Sequence, residues 1–141
     1  MTDYFSVLSG LLIPIKRAMD EWEIDFESAL SDCGIKTSDF RDQESRLSAE
    51  IVAKLIEHCN YLKARHDFAI TVAENYHLGT FHTLGYTMMT SHNLYDAFKR
   101  IAQYKKIVSN TCTFRVEEHA GVCQLVLSPY LYESTNNHFM T

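Results

Sequence analysis

Apolar residues recur at intervals of three and four along the first stretch of the chain: Leu8, Leu11, Leu12, Ile15, Ala18, Met19 and Trp22. That spacing puts them on one face of a helix within Tyr4 to Trp22. Pro14 has no N–H to give to a helix interior, so the main helix begins close to it, with Pro14 in the first turn. A short second helix is predicted from about Asp25 to Cys33. Asp25 is placed to cap it, and Gly34 to end it in a left-handed conformation. Lys36 to Leu47 is polar and predicts a connection with about a turn of helix. Ser48 is placed to cap the next helix, whose buried stripe is Val52, Leu55, Ile56, Cys59 and Leu62. A weaker pattern, Phe68, Ile70, Val72 and Ala73, predicts one more helix over Asp67 to Tyr76.

The texture then changes. Leu78 to Ser91 sets Gly79 and Gly85 among large side chains, which predicts a short helix packed closely on a neighbour beside a glycine turn. The strongest helix pattern follows. Asn93 caps it, Asp96 lies three positions on at the positive end of the helix dipole, and Leu94, Ala97, Phe98, Ile101, Ala102 and Val108 form the inner face. Lys99, Arg100, Lys105 and Lys106 are expected on or near the outer face. From Thr111 the period becomes two. Cys112, Phe114 and Val116 alternate with polar residues, Cys123, Leu125 and Leu127 share a face, and His119 to Gly121 turn the chain between them. This is a β-hairpin, with Phe114 and Val116 opposite Leu125, Leu127 or Cys123 and with Cys112 and Cys123 out of disulfide register. Ser134 to Thr141 is a polar tail without capping residues. The expected class is α+β: a mostly helical N-terminal two-thirds packed on a small antiparallel sheet that includes the C-terminal hairpin.

Composition narrows the function. The 141 residues carry 13 Lys and Arg against 18 Asp and Glu, a net charge of −5. A domain that binds nucleic acid by itself concentrates basic residues against phosphates, so direct DNA binding by this chain is not expected. The cysteines, Cys33, Cys59, Cys112 and Cys123, form no CxxC pair and no zinc spacing, and they read as reduced, mostly buried small hydrophobes. The first residues lack a signal peptide's basic region, and the apolar run Leu11 to Ile15 is too short to cross a membrane. The expected location is the cytoplasm, with no membrane partner. The seven histidines have neither a helical metal-site spacing nor an HExxH. There is no GxSxG, no phosphate-binding glycine loop and no local nucleophile signature. No catalytic residue, metal or cofactor is therefore expected.

The segment Leu84-Gly85-Tyr86-Thr87-Met88-Met89-Thr90-Ser91, followed by Asn93-Leu94-Tyr95-Asp96-Ala97-Phe98 and Ile101-Ala102-Gln103-Tyr104, resembles the LGYAxLSSxTLxEALxxLxRY signature of one branch of the AraC/XylS transcription regulators. That branch carries an arabinose-binding-type N-terminal domain. The resemblance runs from about Ile13 to Leu127 and includes a short helix ending in Cys33-Gly34 and the Arg46-Leu47 pair. Thr87 stands where Ala is usual, Met88 and Met89 where Leu is common, and Thr90 where Ser is common.

The resemblance implies one regulatory domain over residues 1–141, a fragment without the helix-turn-helix domain that follows in family members. It implies a small-molecule effector, a homodimer, and DNA reached only through the missing C-terminal part. It does not imply an enzyme. The alternative is a ligand-independent oligomerisation module. Within such a domain, Phe81, Tyr86, Met88, Met89, Phe98 and Tyr104 either form plain core or line an apolar pocket. In the pocket reading, Tyr86 and Tyr104 orient a ligand through their hydroxyls, with His82 as partner. An inward basic side chain would indicate an acidic effector. Arg65 and Arg115 are the candidates, and exposure is the expectation for Arg115, on the polar strand face.

Overall fold

Asp25 and Asn93 show how local chemistry sets the helix boundaries. In the computed structural model, which describes residues 5–40 and 45–129, Asp25 accepts a 2.8 Å bond from the Ser28 N–H at the start of helix α2 (Phe26–Asp32). Asn93 accepts a 2.9 Å bond from the Asp96 N–H at the start of α6 (Leu94–Tyr104). Each side chain satisfies a backbone donor that the first helical turn leaves without a partner. Gly34 has φ +72°, the left-handed geometry that ends α2. α1 (Leu12–Glu21) holds Pro14 in its first turn. α3 (Ala49–Lys63), α4 (Phe68–Glu74) and α5 (His82–Met89) complete the helical part, with a single 3₁₀ turn at Leu78–Phe81 leading into α5.

Several expectations change in three dimensions. The first apolar run is not all helix: Ser6–Leu8 forms strand β1, and a 3₁₀ turn follows before α1. Arg46–Ser48, inside the predicted polar connection, is strand β2, antiparallel to β1. Ser48 occupies the cap position of α3, but its side chain accepts no capping bond. Leu62 and Leu94, placed on inner faces by period, are exposed, as is Ile70. Lys105, expected outside, is buried at 8% exposure. The polar tail 134–141 lies outside the described residues.

The hairpin is β3 (Cys112–His119) and β4 (Val122–Pro129). Its register sets Phe114 against Leu127 and Val116 against Leu125, while Cys112 faces Pro129 and Cys123 faces Glu118. Ala120 and Gly121 both have positive φ, +51° and +77°. This is the two-residue turn whose twist matches that of the strands. All four cysteines are free.

The helices enclose one core of Leu12, Ile15, Met19, Leu30, Leu55 and Phe68 with their neighbours. Trp22 stands edge-on to Phe68 at 5.0 Å, and its indole N–H donates to Thr71 Oγ1 at 3.1 Å. A buried tryptophan is stable there because its one donor has a partner. A second, smaller core gathers Val7, Leu8, Leu11, Leu84 and Val108. Leu47, Val52 and Tyr76 pack against both.

β1 joins these regions. One edge pairs with β2. The other meets residues 108–110 through Leu8 N–H to the Val108 carbonyl at 2.8 Å, Asn110 N–H to the Ser6 carbonyl at 3.3 Å, and an antiparallel bridge from Val7 to Ser109. The two sheets are thus separate two-stranded units connected through one short strand.

Two outcomes test this architecture. A Cβ at Gly85 would lie 2.6 Å from the Leu78 carbonyl carbon and closer still to its oxygen. Helix propensity favours Ala over Gly by about 1 kcal/mol, but this clash with backbone outweighs it. Gly85→Ala is expected to lower unfolding stability by about 1–3 kcal/mol, read from urea denaturation. The second outcome concerns pH. Burial pushes the Cys59 thiol up to about 12, and burial also raises Cys33 and Tyr76. Above the ordinary thiol value of 9.0, the unfolded chain releases a proton that folded Cys59 retains, so stability present below that pH is lost as pH rises toward about 12. Melting temperature should fall progressively above pH 9.0, and Cys59→Ala should make that alkaline limb shallower than in the wild type.

Candidate functional site

The second core is incompletely filled. Beside it is a cavity of about 310 Å³, at the lower end of the roughly 300–1,000 Å³ range of small-molecule pockets. Leu84 and Met88 come from α5, Phe81 from the 3₁₀ turn before it, and Leu11 from the turn before α1. Ile101 comes from α6. Lys105, Val108, Ser109 and Thr111 come from the segment that links α6 to β3, and Cys112 and Phe114 from β3 itself. The cavity therefore lies where the helical layer meets the hairpin, and its wall belongs to both.

Three local features shape that wall. Tyr76 stacks on Phe81, rings nearly parallel with centroids 5.5 Å apart, and fixes the turn that delivers Phe81. His82, next in the chain, has φ +50° and ψ −128°, a region that non-glycine residues rarely occupy. It stands at the junction of the Leu78–Phe81 turn and α5. Arg46, on β2, reaches across β1. Its Nε donates to Ser6 Oγ at 2.8 Å, and its two terminal nitrogens donate to the Ile107 carbonyl at 3.0 Å and the Ser6 carbonyl at 3.1 Å. One planar guanidinium thus holds the N-terminal strand against the segment carrying Val108 and Ser109.

Most side chains in the wall are apolar; Ser109 and Thr111 are polar, and Lys105 is charged. Lys105 Nζ donates to the Cys112 carbonyl and lies 5.8 Å from the Phe114 ring centroid. Burial is the main cause that holds its ammonium below the ordinary lysine range. The Ser109 and Thr111 hydroxyls are 2.9 Å apart and bond to each other.

Of the residues singled out from sequence, Phe81 and Met88 line this cavity. Phe98 and His82 are half-buried and do not line it. Tyr86, Met89 and Tyr104 are exposed, at 66%, 62% and 43%. Arg65 is exposed, ion-paired with Asp67 and stacked over Trp22, and Arg115 is exposed beside Glu117. The inward basic side chain is Lys105. The sequence carried its signal: Phe98, Ile101, Lys105 and Val108 are spaced three, four and three apart, on the stripe of the inner face. The expected basic cluster is also divided. Lys99 pairs with Asp96 at 3.3 Å, and Arg100 donates to the Thr87 carbonyl at 3.0 Å.

A larger hollow of about 500 Å³ lies at the C-terminal end of α3, between Glu57, Asn60, Tyr61, Ala64 and His66. Most of these side chains are exposed, so it is a surface depression rather than an enclosed site. Among the described residues, no group of three His, Cys, Asp or Glu side chains is gathered to hold a metal ion, and no helix is long and apolar enough to cross a membrane.

An α+β fold with an apolar cavity between its helices and its hairpin has the form of a small-molecule-binding domain. The chain belongs to the family described as the arabinose-binding, N-terminal domain of AraC transcription regulators, which it matches over residues 24–140. It is accordingly an effector-binding regulatory domain. No curated protein matches the chain.

The Arg46 clamp has a measurable consequence. Arg46→Ala removes three donors that fasten β1 to the cavity wall. Hydrogen exchange at the Leu8 and Asn110 amides, which bond across that junction, should accelerate by about ten-fold or more, while amides within α3 stay protected.

Proposed function

We propose that a small effector binds in the cavity between α5, α6 and β3, and that its occupancy reports through the hairpin to an attached DNA-binding domain. The observation that carries this reading is the mixed ownership of the wall. A ligand touching Leu84 and Met88 on one side and Cys112 and Phe114 on the other bridges the helical layer and the hairpin. It favours whichever relative placement of the two gives it the better contacts, and only that difference in affinity shifts the population.

The family's description names arabinose, but a sugar needs a polar partner for nearly every hydroxyl. Here the polar side chains in the wall are Lys105, Ser109 and Thr111, two of them bonded to each other. An effector with a mainly apolar body fits this wall better. DNA contact belongs to the attached domain, because this chain carries a net charge of −5. Dimerisation is part of the same reading. Tyr86, Met89 and Leu94 expose apolar surface close together in the chain around the α5–α6 turn, at 66%, 62% and 67%. Such surface supports contact between two copies inside the cytoplasm.

Thermal unfolding with a panel of compact apolar metabolites tests the cavity. A true effector should raise the melting temperature in a concentration-dependent way. Met88→Trp, which puts an indole into the cavity, should abolish that shift while leaving the circular dichroism spectrum unchanged. A shift that persists in Met88→Trp would locate the ligand elsewhere.

A further inference from the structure

We infer that the effector carries one uncharged carbonyl on a compact apolar body, and that the hydroxyl pair of Ser109 and Thr111 holds that carbonyl. This rests on the cavity being the effector site. Leu11, Phe81, Leu84, Met88, Ile101 and Phe114 give the wall carbon and sulfur contacts. They select for an apolar body and give it no direction. The Lys105 ammonium is already engaged inside the fold, by the Cys112 carbonyl and the Phe114 ring among others. Direction comes from the two hydroxyl residues, which line the same wall.

The Ser109 and Thr111 hydroxyl oxygens are 2.9 Å apart, and Ser109 Oγ also accepts the Thr111 backbone N–H at 3.2 Å. Each hydroxyl brings one proton. One of the two protons lies between the oxygens, whichever residue supplies it. Among the described residues, neither hydroxyl meets a further acceptor, so the other proton is left over. A donor left over in a mainly apolar wall favours a ligand that brings an acceptor. One carbonyl oxygen satisfies it and adds no donor that needs a partner. A carboxylate brings about four acceptor sites and a full charge to that single proton, and a sugar brings several hydroxyls. The pair also stands at a structural junction. Asn110, between the two residues, accepts the Ser6 N–H on Oδ1 at 2.6 Å and donates its own N–H to the Ser6 carbonyl at 3.3 Å. Val7 bridges to Ser109. A carbonyl held here is therefore bonded to the segment that ties β1 to the root of the hairpin.

The test titrates the full chain, by ligand-observed NMR, with acetophenone and with cumene, which have nearly the same shape and differ in the carbonyl. Ser109→Ala and Thr111→Val together remove both hydroxyls. The double substitution should weaken acetophenone binding about five-fold or more and leave cumene unchanged. Benzoate should bind the wild type more weakly than acetophenone at pH 7. Carbonyl-labelled acetophenone bound to the wild type should show its C=O stretch at lower wavenumber than in cyclohexane, a readout that needs no variant and so survives a failure of the double substitution to fold. An unshifted band, tighter binding of benzoate, or equal effects of the double substitution on acetophenone and cumene would overturn the carbonyl assignment and leave the cavity standing. If neither acetophenone nor cumene binds the wild type, or if both bind Met88→Trp as tightly, the cavity is not the effector site and the inference falls with it.

Discussion

The three residues of β1, Ser6 to Leu8, hold the two regions of this molecule together. Their backbone groups bond to residues 46–48 on one edge and 108–110 on the other, while Val7 and Leu8 enter the second core. Buried backbone donors and acceptors must be paired, and a strand this short has few alternatives. Both partners are distant in the chain, so the contact closes two long loops at once. The entropic cost of that closure grows only slowly with loop length. The Arg46 guanidinium fastens all three segments at the point where they meet. The wall of the cavity at Val108 and Ser109 is therefore set by the first residues of the chain.

The cavity follows from that constraint. The helices on the N-terminal side fill their core around Phe68 and Trp22 and leave little room for change. The second core has fewer large side chains and must accommodate both a helix held close at Gly85 and a hairpin attached by one linking segment. Space remains where these requirements meet. Interiors pack densely, so an unfilled volume bounded by two structural units is a place where a ligand's contacts couple them. Phe114, and Lys105, which bonds across the α6–β3 junction, join that wall to the hairpin.

His82 contributes to the same arrangement. Its uncommon backbone conformation joins the Leu78–Phe81 turn to α5. The stacking of Tyr76 on Phe81 and the close approach of Gly85 to Leu78 hold that turn from both sides. Strain in such a position persists where the surroundings over-determine it.

Much of this was legible in the residue order. The caps at Asp25 and Asn93, the stop at Gly34, Pro14 in the first turn of α1 and the register of the hairpin all rest on interactions within a few residues or on strict periodicity. The tight packing at Gly85 was also readable from its apolar neighbours, and the Gly-Tyr stretch with the capped helix after it identified the family. Burial depends on what arrives from elsewhere. Leu62 and Leu94 have the right period and no partner to cover them, whereas Lys105 has the right period and a charge that argued for solvent until β3 closed over it. β1 and β2 were invisible because a three-residue strand has no period to read and exists only through pairing between distant segments. Residue order alone was enough for the helices, the hairpin, the family and the acidic character. The tertiary structure alone decided which apolar side chains meet, where space is left between them and which cation faces it, because those outcomes depend on contacts between residues that the order of the chain keeps far apart.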